Sequence, residues 1–224
     1  QERVLGADPG VVESGGDRMP LGDLYILVLQ QIRLVAMQDA GRPADQALTM
    51  ELLTGMTLDR LLKECPDGLP WRELKPIAMQ LLDALAYAHQ QGVLHGDVKP
   101  ANIMVGEQGV QLFDFGLGHG EAQQAAGLPG LSRSRLNAWT PAYAAPELLA
   151  GGRLSPRADL YGAACVIYEL AQGNRPGKGQ LNKPLPRPRQ LPRQCWSALR
   201  SALEVDPERR TLSAEELCDA INGR

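Results

Sequence analysis

Cysteine is scarce in this chain of 224 residues, and the few present have no redox or metal-site spacing. Cys65, Cys165, Cys195 and Cys218 form no CxxC pair, and no His stands beside one at metal-ligand spacing. They are expected as reduced, mostly buried thiols of a cytoplasmic protein. An excess of one charge is also lacking: 23 Lys and Arg stand against 26 Asp and Glu, a formal net charge of −3. That argues against a broad surface for nucleic acid or membrane. No apolar run approaches the ~20 residues that cross a bilayer. No basic-then-apolar leader opens the chain, so no secretory signal is expected. What remains is ordinary: a 44% hydrophobic fraction, and length enough for one large domain or two small ones.

The order of elements is more informative. Residues 1–20 carry scattered charges with Gly6, Pro9, Gly10, Gly15, Gly16 and Pro20, and read as a flexible arm. Leu24 to Ala36 and Ala47 to Leu53 are apolar and strand-like, with a turn at Asp39 to Gln46. From Thr57 the period changes. Thr57 is a candidate cap for a short helix carrying Leu58, Leu61 and Leu62. Leu74, Ile77, Ala78, Leu81, Leu82 and Leu85 predict a longer helix that ends near Gly92. Ile103–Val105 and Val110–Phe113, joined by Gly106-Glu107-Gln108-Gly109, predict a hairpin. Residues 117–145 predict a long loop. Leu160, Ala164, Ile167 and Leu170 predict a helical stripe ended by Gly173. Trp196, Leu199, Ala202 and Leu203 predict another helix, and Ser213 with Glu216 a capping box for the last. The Pro-rich stretch Lys183–Arg193 reads as a connecting loop. Strands first and then mostly helices is an α+β pattern, a small sheet on a helical body.

The chemistry gathers in one place. His95-Gly96-Asp97-Val98-Lys99-Pro100-Ala101-Asn102 is followed by Asp114-Phe115-Gly116. Phosphoryl transfer from a nucleotide needs metal ions on the phosphates, a carboxylate beside the attacking hydroxyl and a positive charge on the transferred group. Asp97 is the candidate proton acceptor and Lys99 the candidate cation. Asn102 and Asp114 offer the hard oxygen ligands that suit Mg²⁺. The hairpin between them returns the second metal ligand beside the first. Pro100 fixes its own φ and biases Lys99 towards extended backbone. Gly116 leaves room for a bend after Asp114. His95 is expected as a packed core histidine that holds the loop, not as a base.

These residues resemble the catalytic and metal-binding loops of the eukaryotic-like Ser/Thr protein kinases, in a bacterial-type form. The resemblance extends over roughly residues 24–222. Ala145-Pro146-Glu147 is similar to the motif that closes the family's activation segment, and Thr140-Pro141-Ala142-Tyr143 to its substrate-binding stretch. Asp159-Leu160-Tyr161-Gly162 resembles the helix start whose Asp anchors the catalytic loop. Asp206-Pro207-Glu208-Arg209-Arg210 resembles the late motif whose Arg pairs with that Glu, which implies a Glu147–Arg210 ion pair. Leu48-Thr49-Met50-Glu51-Leu52-Leu53 resembles the hinge between lobes. The resemblance therefore implies Met50 as gatekeeper, Glu51 and Leu53 meeting the adenine edge, and Met104 beneath the ring. It implies ATP and Mg²⁺, a protein substrate, and a two-lobed fold with a mostly helical large lobe and an incomplete small β lobe. The lobes would divide as 21–53, partial small lobe and hinge, and 54–224, helical lobe.

Two departures matter. Gly96 stands where most members carry the Arg that meets a phosphate on the activation loop. Ser132, Ser134 and Thr140 remain candidate phosphosites, but activation through that contact is not expected. The larger departure lies between Ile32 and Arg33. Roughly fifty residues of the family pattern are absent there, with the Gly-rich phosphate loop, the V-A-I-K lysine and its partner Glu. Either the chain is a remnant, or an internal stretch has been left out and its flanks joined. The second reading is favoured, since a direct join exposes a strand's polar edge and apolar face; an intact mass equal to that of the 224-residue chain would exclude it. Three functions stay open: a Ser/Thr protein kinase, favoured by Lys99; a pseudokinase that regulates a protein partner; and an aminoglycoside- or choline-type phosphotransferase, which His-Gly-Asp resembles although Lys99 and the long 117–147 segment do not.

Overall fold

The computed structural model describes residues 55–115, 141–176 and 185–223. A short strand, β1 (Met56–Thr57), leads into α1 (Leu58–Glu64). A long helix, α2 (Trp71–Gln90), is followed by the catalytic-loop sequence, a 3-10 turn at Pro100–Asn102, and a hairpin of β2 (Ile103–Gly106) and β3 (Gly109–Leu112). Then come α3 (Pro146–Leu149), α4 (Pro156–Gln172), α5 (Arg193–Ala202), a 3-10 turn at Pro207–Arg209 and α6 (Ala214–Asn222). The mixture of a small antiparallel sheet and a helical body is the expected α+β architecture.

The long helix behaves as its period predicts. Leu74, Ala78, Leu81, Leu82 and Leu85 are buried on one face, while Ile77 is only partly buried. That face packs α2 against α4 and α6. Gln91 caps the helix, and Gly92 follows at φ 71, the left-handed conformation that a glycine takes at low cost. The last helix carries the complete capping box: Ser213 Oγ accepts from Glu216 N at 3.1 Å, and Glu216 Oε2 accepts from Ser213 N at 2.7 Å.

Other expectations need correcting. The predicted stripe on α4 is instead a helix buried nearly all round, Ala158 to Ala171 with Glu169 the exception, because it runs through the middle of the helical body. Thr57 stands at the N-cap of α1 but makes no side-chain bond to the helix backbone. Its hydroxyl bonds Asp59 instead, which holds that carboxyl below its ordinary pKa. In α5 the core positions are Cys195, Leu199 and Ala202. Trp196 sits at the margin with its ring centroid 6.0 Å from that of Tyr168. Among the described residues the sheet has a third strand beside the predicted hairpin, because Met56 and Thr57 pair antiparallel with Val105 and Met104. The four cysteines are free thiols, Cys65 half-buried and the rest buried.

Candidate active site

The hairpin that follows the catalytic loop turns through Glu107-Gln108, with Gly106 opposite Gly109 and Ile103 opposite Leu112. Its position is fixed from two sides. Val110 N–H donates to Gln80 Oε1 on α2 at 2.7 Å, and Phe113 N–H donates to the Asn102 carbonyl at 3.1 Å. The second of these bonds places Asp114 one residue beyond the contact with Asn102, so the two candidate metal ligands stand on neighbouring backbone. Asp114 is exposed, at φ 66, and is the one non-glycine residue of positive φ among the described residues. That conformation costs about 1–2 kcal/mol for a side chain with a Cβ. Phe115 next to it is buried and holds the strained residue in place, its ring centroid 4.6 Å from that of His95.

The loop itself is held by one carboxylate. Asp159, 1% exposed in the first turn of α4, accepts from His95 N at 2.8 Å and from Gly96 N at 2.7 Å. His89, in the last turn of α2, donates from Nε2 to the same Asp159 Oδ2 at 3.0 Å. His95 is fully buried, as expected of a structural residue. Its Nε2 donates to the Phe113 carbonyl at 3.0 Å, and its Nδ1 accepts from Asp97 N–H at 3.1 Å. This pair of bonds needs a neutral ring. Burial favours the same state by lowering the His95 pKa, against the opposing pull of Asp159. Close packing completes the anchor. A Cβ on Gly162 would lie 3.1 Å from both the Cβ and the carbonyl oxygen of Val98, so glycine lets α4 approach the loop.

Asp97 is 7% exposed and Asn102 is 5% exposed. Asn102 Nδ2 donates to the Asp97 carbonyl at 3.0 Å and to Asp97 Oδ2 at 3.3 Å. Lys99 Nζ forms an ion pair with the same Oδ2. The amide nitrogen of Asn102 is thus committed to Asp97, which leaves Oδ1 as its donor to a cation. Among the described residues no group of three or more His, Cys, Asp and Glu forms a metal cage. One carboxylate and one amide oxygen suit Mg²⁺, which completes its shell with water and substrate phosphate. Of the predicted nucleotide contacts, Met104 lies half-buried on β2. Met50, Glu51 and Leu53 lie outside the described residues, as do Ser132, Ser134 and Thr140.

The implied Glu147–Arg210 pair is present, with Arg210 Nη2 bonded to Glu147 Oε2. Arg210 Nη1 also donates to the Arg157 carbonyl at 2.7 Å, and the guanidinium lies 5.2 Å from the centroid of the Tyr161 ring. Sequence reasoning missed two supports, His89 and Gln80. Both lie far along the chain from what they hold, and only the helical period places them on the inward side of α2.

Comparisons with known proteins agree with this geometry. The family model of the protein kinase domain matches residues 26–220. The chain is 36% identical over 193 residues to the serine/threonine-protein kinase PkaA of Streptomyces coelicolor, an alignment covering 78% of this chain and 33% of that protein. It is 36% identical over 148 residues to PknL of Mycobacterium tuberculosis, covering 65% of this chain and 36% of the relative. The crystal structure of the Mycobacterium tuberculosis PknI kinase domain superimposes with a TM-score of 0.59 at 30% identity, covering 78% of this chain and 63% of that one. The chain thus spans about a third of the length of these curated relatives. The chain belongs to the protein kinase family, as a bacterial-type member of the eukaryotic-like Ser/Thr protein kinases.

Proposed function

We propose that this chain transfers the γ-phosphoryl group of ATP to a Ser or Thr hydroxyl of a protein substrate. The observation that carries the reading is the buried Asp97 carboxylate with Lys99 and Asn102 both bonded to it. In the proposed step the substrate hydroxyl oxygen bonds to the γ-phosphorus, the bond from that phosphorus to the ADP oxygen breaks, and the hydroxyl proton passes to Asp97 Oδ. Lys99 shifts from the carboxylate to the transferring group and neutralises its growing charge. Asn102 Oδ1 and the Asp114 carboxylate would hold Mg²⁺, which supplies charge neutralisation on the phosphates. Met104 would pack beneath the adenine, with Met50, Glu51 and Leu53 at the hinge and residues 21–53 forming the small-lobe side of the cleft. The free thiols support a reducing, cytoplasmic setting. Among the described residues no helix is long and apolar enough to cross a membrane.

The test is incubation with labelled ATP and Mg²⁺, with and without Asp97→Asn, followed by detection of phosphoprotein. Label in the native chain that disappears in the variant is the expected result; label that persists removes Asp97 from its role. Nucleotide binding without any transfer would replace the enzyme by a regulatory binding module. Transfer only to a small hydroxylated compound would replace the protein substrate.

A further inference from the structure

Charge is unevenly placed along this chain. Arg175, Lys178, Lys183, Arg187, Arg189, Arg193 and Arg200 stand between Glu169 and Glu204 with no Asp or Glu among them, although the whole chain carries a net charge of −3. Arg175 opposes the rise in the Glu169 carboxyl pKa and so is balanced there. Lys178 and Lys183 lie outside the described residues. The other four arginines are exposed, and among the described residues none of them forms an ion pair. That holds although α6, with Glu215, Glu216 and Asp219, packs against α5. The first turn of α5 also has no acidic residue to offset Arg193. Glu204 follows Arg200 by four residues and offsets that end in part, so the surplus is greatest at Arg189 and Arg193.

The arginines are held on a built surface. Pro188 and Leu191 are buried, and Leu191 N–H donates to the Pro188 carbonyl at 3.1 Å, which closes a turn with Arg189 at its exposed tip. Arg187 Nη1 donates to the Leu191 carbonyl at 2.6 Å, and Tyr168 Oη on α4 donates to the Pro186 carbonyl at 3.3 Å. On α5, Cys195, Leu199 and Ala202 face the core. Arg193 and Arg200 share the opposite face, about 10 Å apart along the axis. We infer that this arginine face, centred on Arg189 and Arg193, docks an acidic segment of a partner protein. Guanidinium forks match carboxylates in geometry as well as charge. The face is confined to one turn and one helix of an otherwise acidic chain, which suits a short segment better than a long polyanion such as nucleic acid. Among the described residues the one exposed large hydrophobic side chain is Leu149 on α3, so the arginine face has nothing to insert into a bilayer.

The probe is a fluorescein-labelled oligoglutamate peptide, read by anisotropy against the same peptide with glutamine in place of glutamate. The native chain is expected to bind the glutamate peptide saturably, and more weakly as salt rises. Arg189→Glu combined with Arg193→Glu is expected to weaken that binding by about tenfold or more, since an exposed ion pair is worth up to about fivefold and two are lost. Both side chains are exposed and neither makes a bond among the described residues, so the variant keeps its fold. The control is Arg60→Glu combined with Arg153→Glu, two exposed arginines outside this segment, which changes the net charge equally and should leave the affinity within about twofold. Equal affinity of the native chain and the Arg189 and Arg193 variant overturns the site, and so does an equal loss in the control. Tighter binding of phosphatidylglycerol vesicles or of a single-stranded oligonucleotide than of the peptide overturns the acidic protein segment as occupant. None of these readouts requires phosphoryl transfer, so the surface stands or falls separately from the proposed activity.

Discussion

Two of the carboxylate–cation pairs among the described residues, Glu147–Arg210 and Asp97–Lys99, are built differently. In the Glu147–Arg210 pair the arginine is 0% exposed and is further held by the Arg157 carbonyl and the Tyr161 ring. In the Asp97–Lys99 pair the lysine keeps 20% of its side chain in solvent, and no other bond is described for its ammonium. A guanidinium offers several donors in a rigid fork, which suits a closed anchor; an ammonium on a flexible stem can leave one partner for another. The anchor is not fully compensated, since Glu147 Oε1 and Arg210 Nε have no hydrogen-bond partner among the described residues. The difference separates a closed anchor beside Glu147 from a pair whose cation can leave for another partner, as the proposed function requires.

The comparison breaks most plainly at Asp97. Asp97→Asn should lower phosphoryl transfer by about 10²–10⁴-fold, read from labelled phosphoprotein. The same change keeps a polar side chain of the same shape and should cost about 1–3 kcal/mol, the value of a lost hydrogen bond to a buried charged group. A stability loss as large as the activity loss would make this pair another anchor. Arg210→Met should do the reverse and cost about 3–5 kcal/mol in urea unfolding, because it strands the Glu147 charge. Adding Glu147→Gln should recover part of that loss, whereas additive losses would show that the pair is not coupled.

A third variant addresses the α4 carboxylate that holds the loop bearing Asp97. Asp159→Asn replaces one of two acceptor oxygens by a donor facing a backbone N–H. It should cost about 1–3 kcal/mol and speed hydrogen exchange at His95 and Gly96 while leaving the α6 amides protected. The smallest effect is expected at Glu169, whose carboxyl accepts from Tyr143 Oη at 2.7 Å. Burial raises the Glu169 pKa above the ordinary 4.5, with the Tyr143 hydrogen bond and Arg175 opposing. A raised carboxyl pKa contributes stability that is present below the unfolded value and is lost as pH rises through the folded value. Thermal midpoints should therefore fall across that window in the native chain relative to Glu169→Gln. Parallel pH profiles for the two would remove this contribution.

Much of the site was readable because its parts are close in sequence. Asp97, Lys99 and Asn102 share one short loop, and Ser213 with Glu216 share one helical turn, so composition and spacing carry the geometry. The hairpin was readable from its glycines, although the strands pair one residue further towards the turn than expected. The third strand was not readable, since two residues, Met56 and Thr57, acquire a strand only from the partner they meet. The same holds for α4, whose apolar stripe gives no warning of burial on every side.

Local chemistry thus determined which residues form the loop, the turns and the capped helices, and the family pattern supplied the Glu147–Arg210 pair. Tertiary structure decided what holds those residues still. His89 and Asp159 lie 70 positions apart, and Gln80 and Val110 lie 30 apart. Such bonds form only after α2, α4 and the hairpin have packed. The physical reason is that hydrogen bonds and ion pairs act over a few ångströms, while the sequence records only order along the chain. Bonding within one turn or loop is therefore written locally, and the support of the candidate catalytic loop is settled by which distant helices share a core.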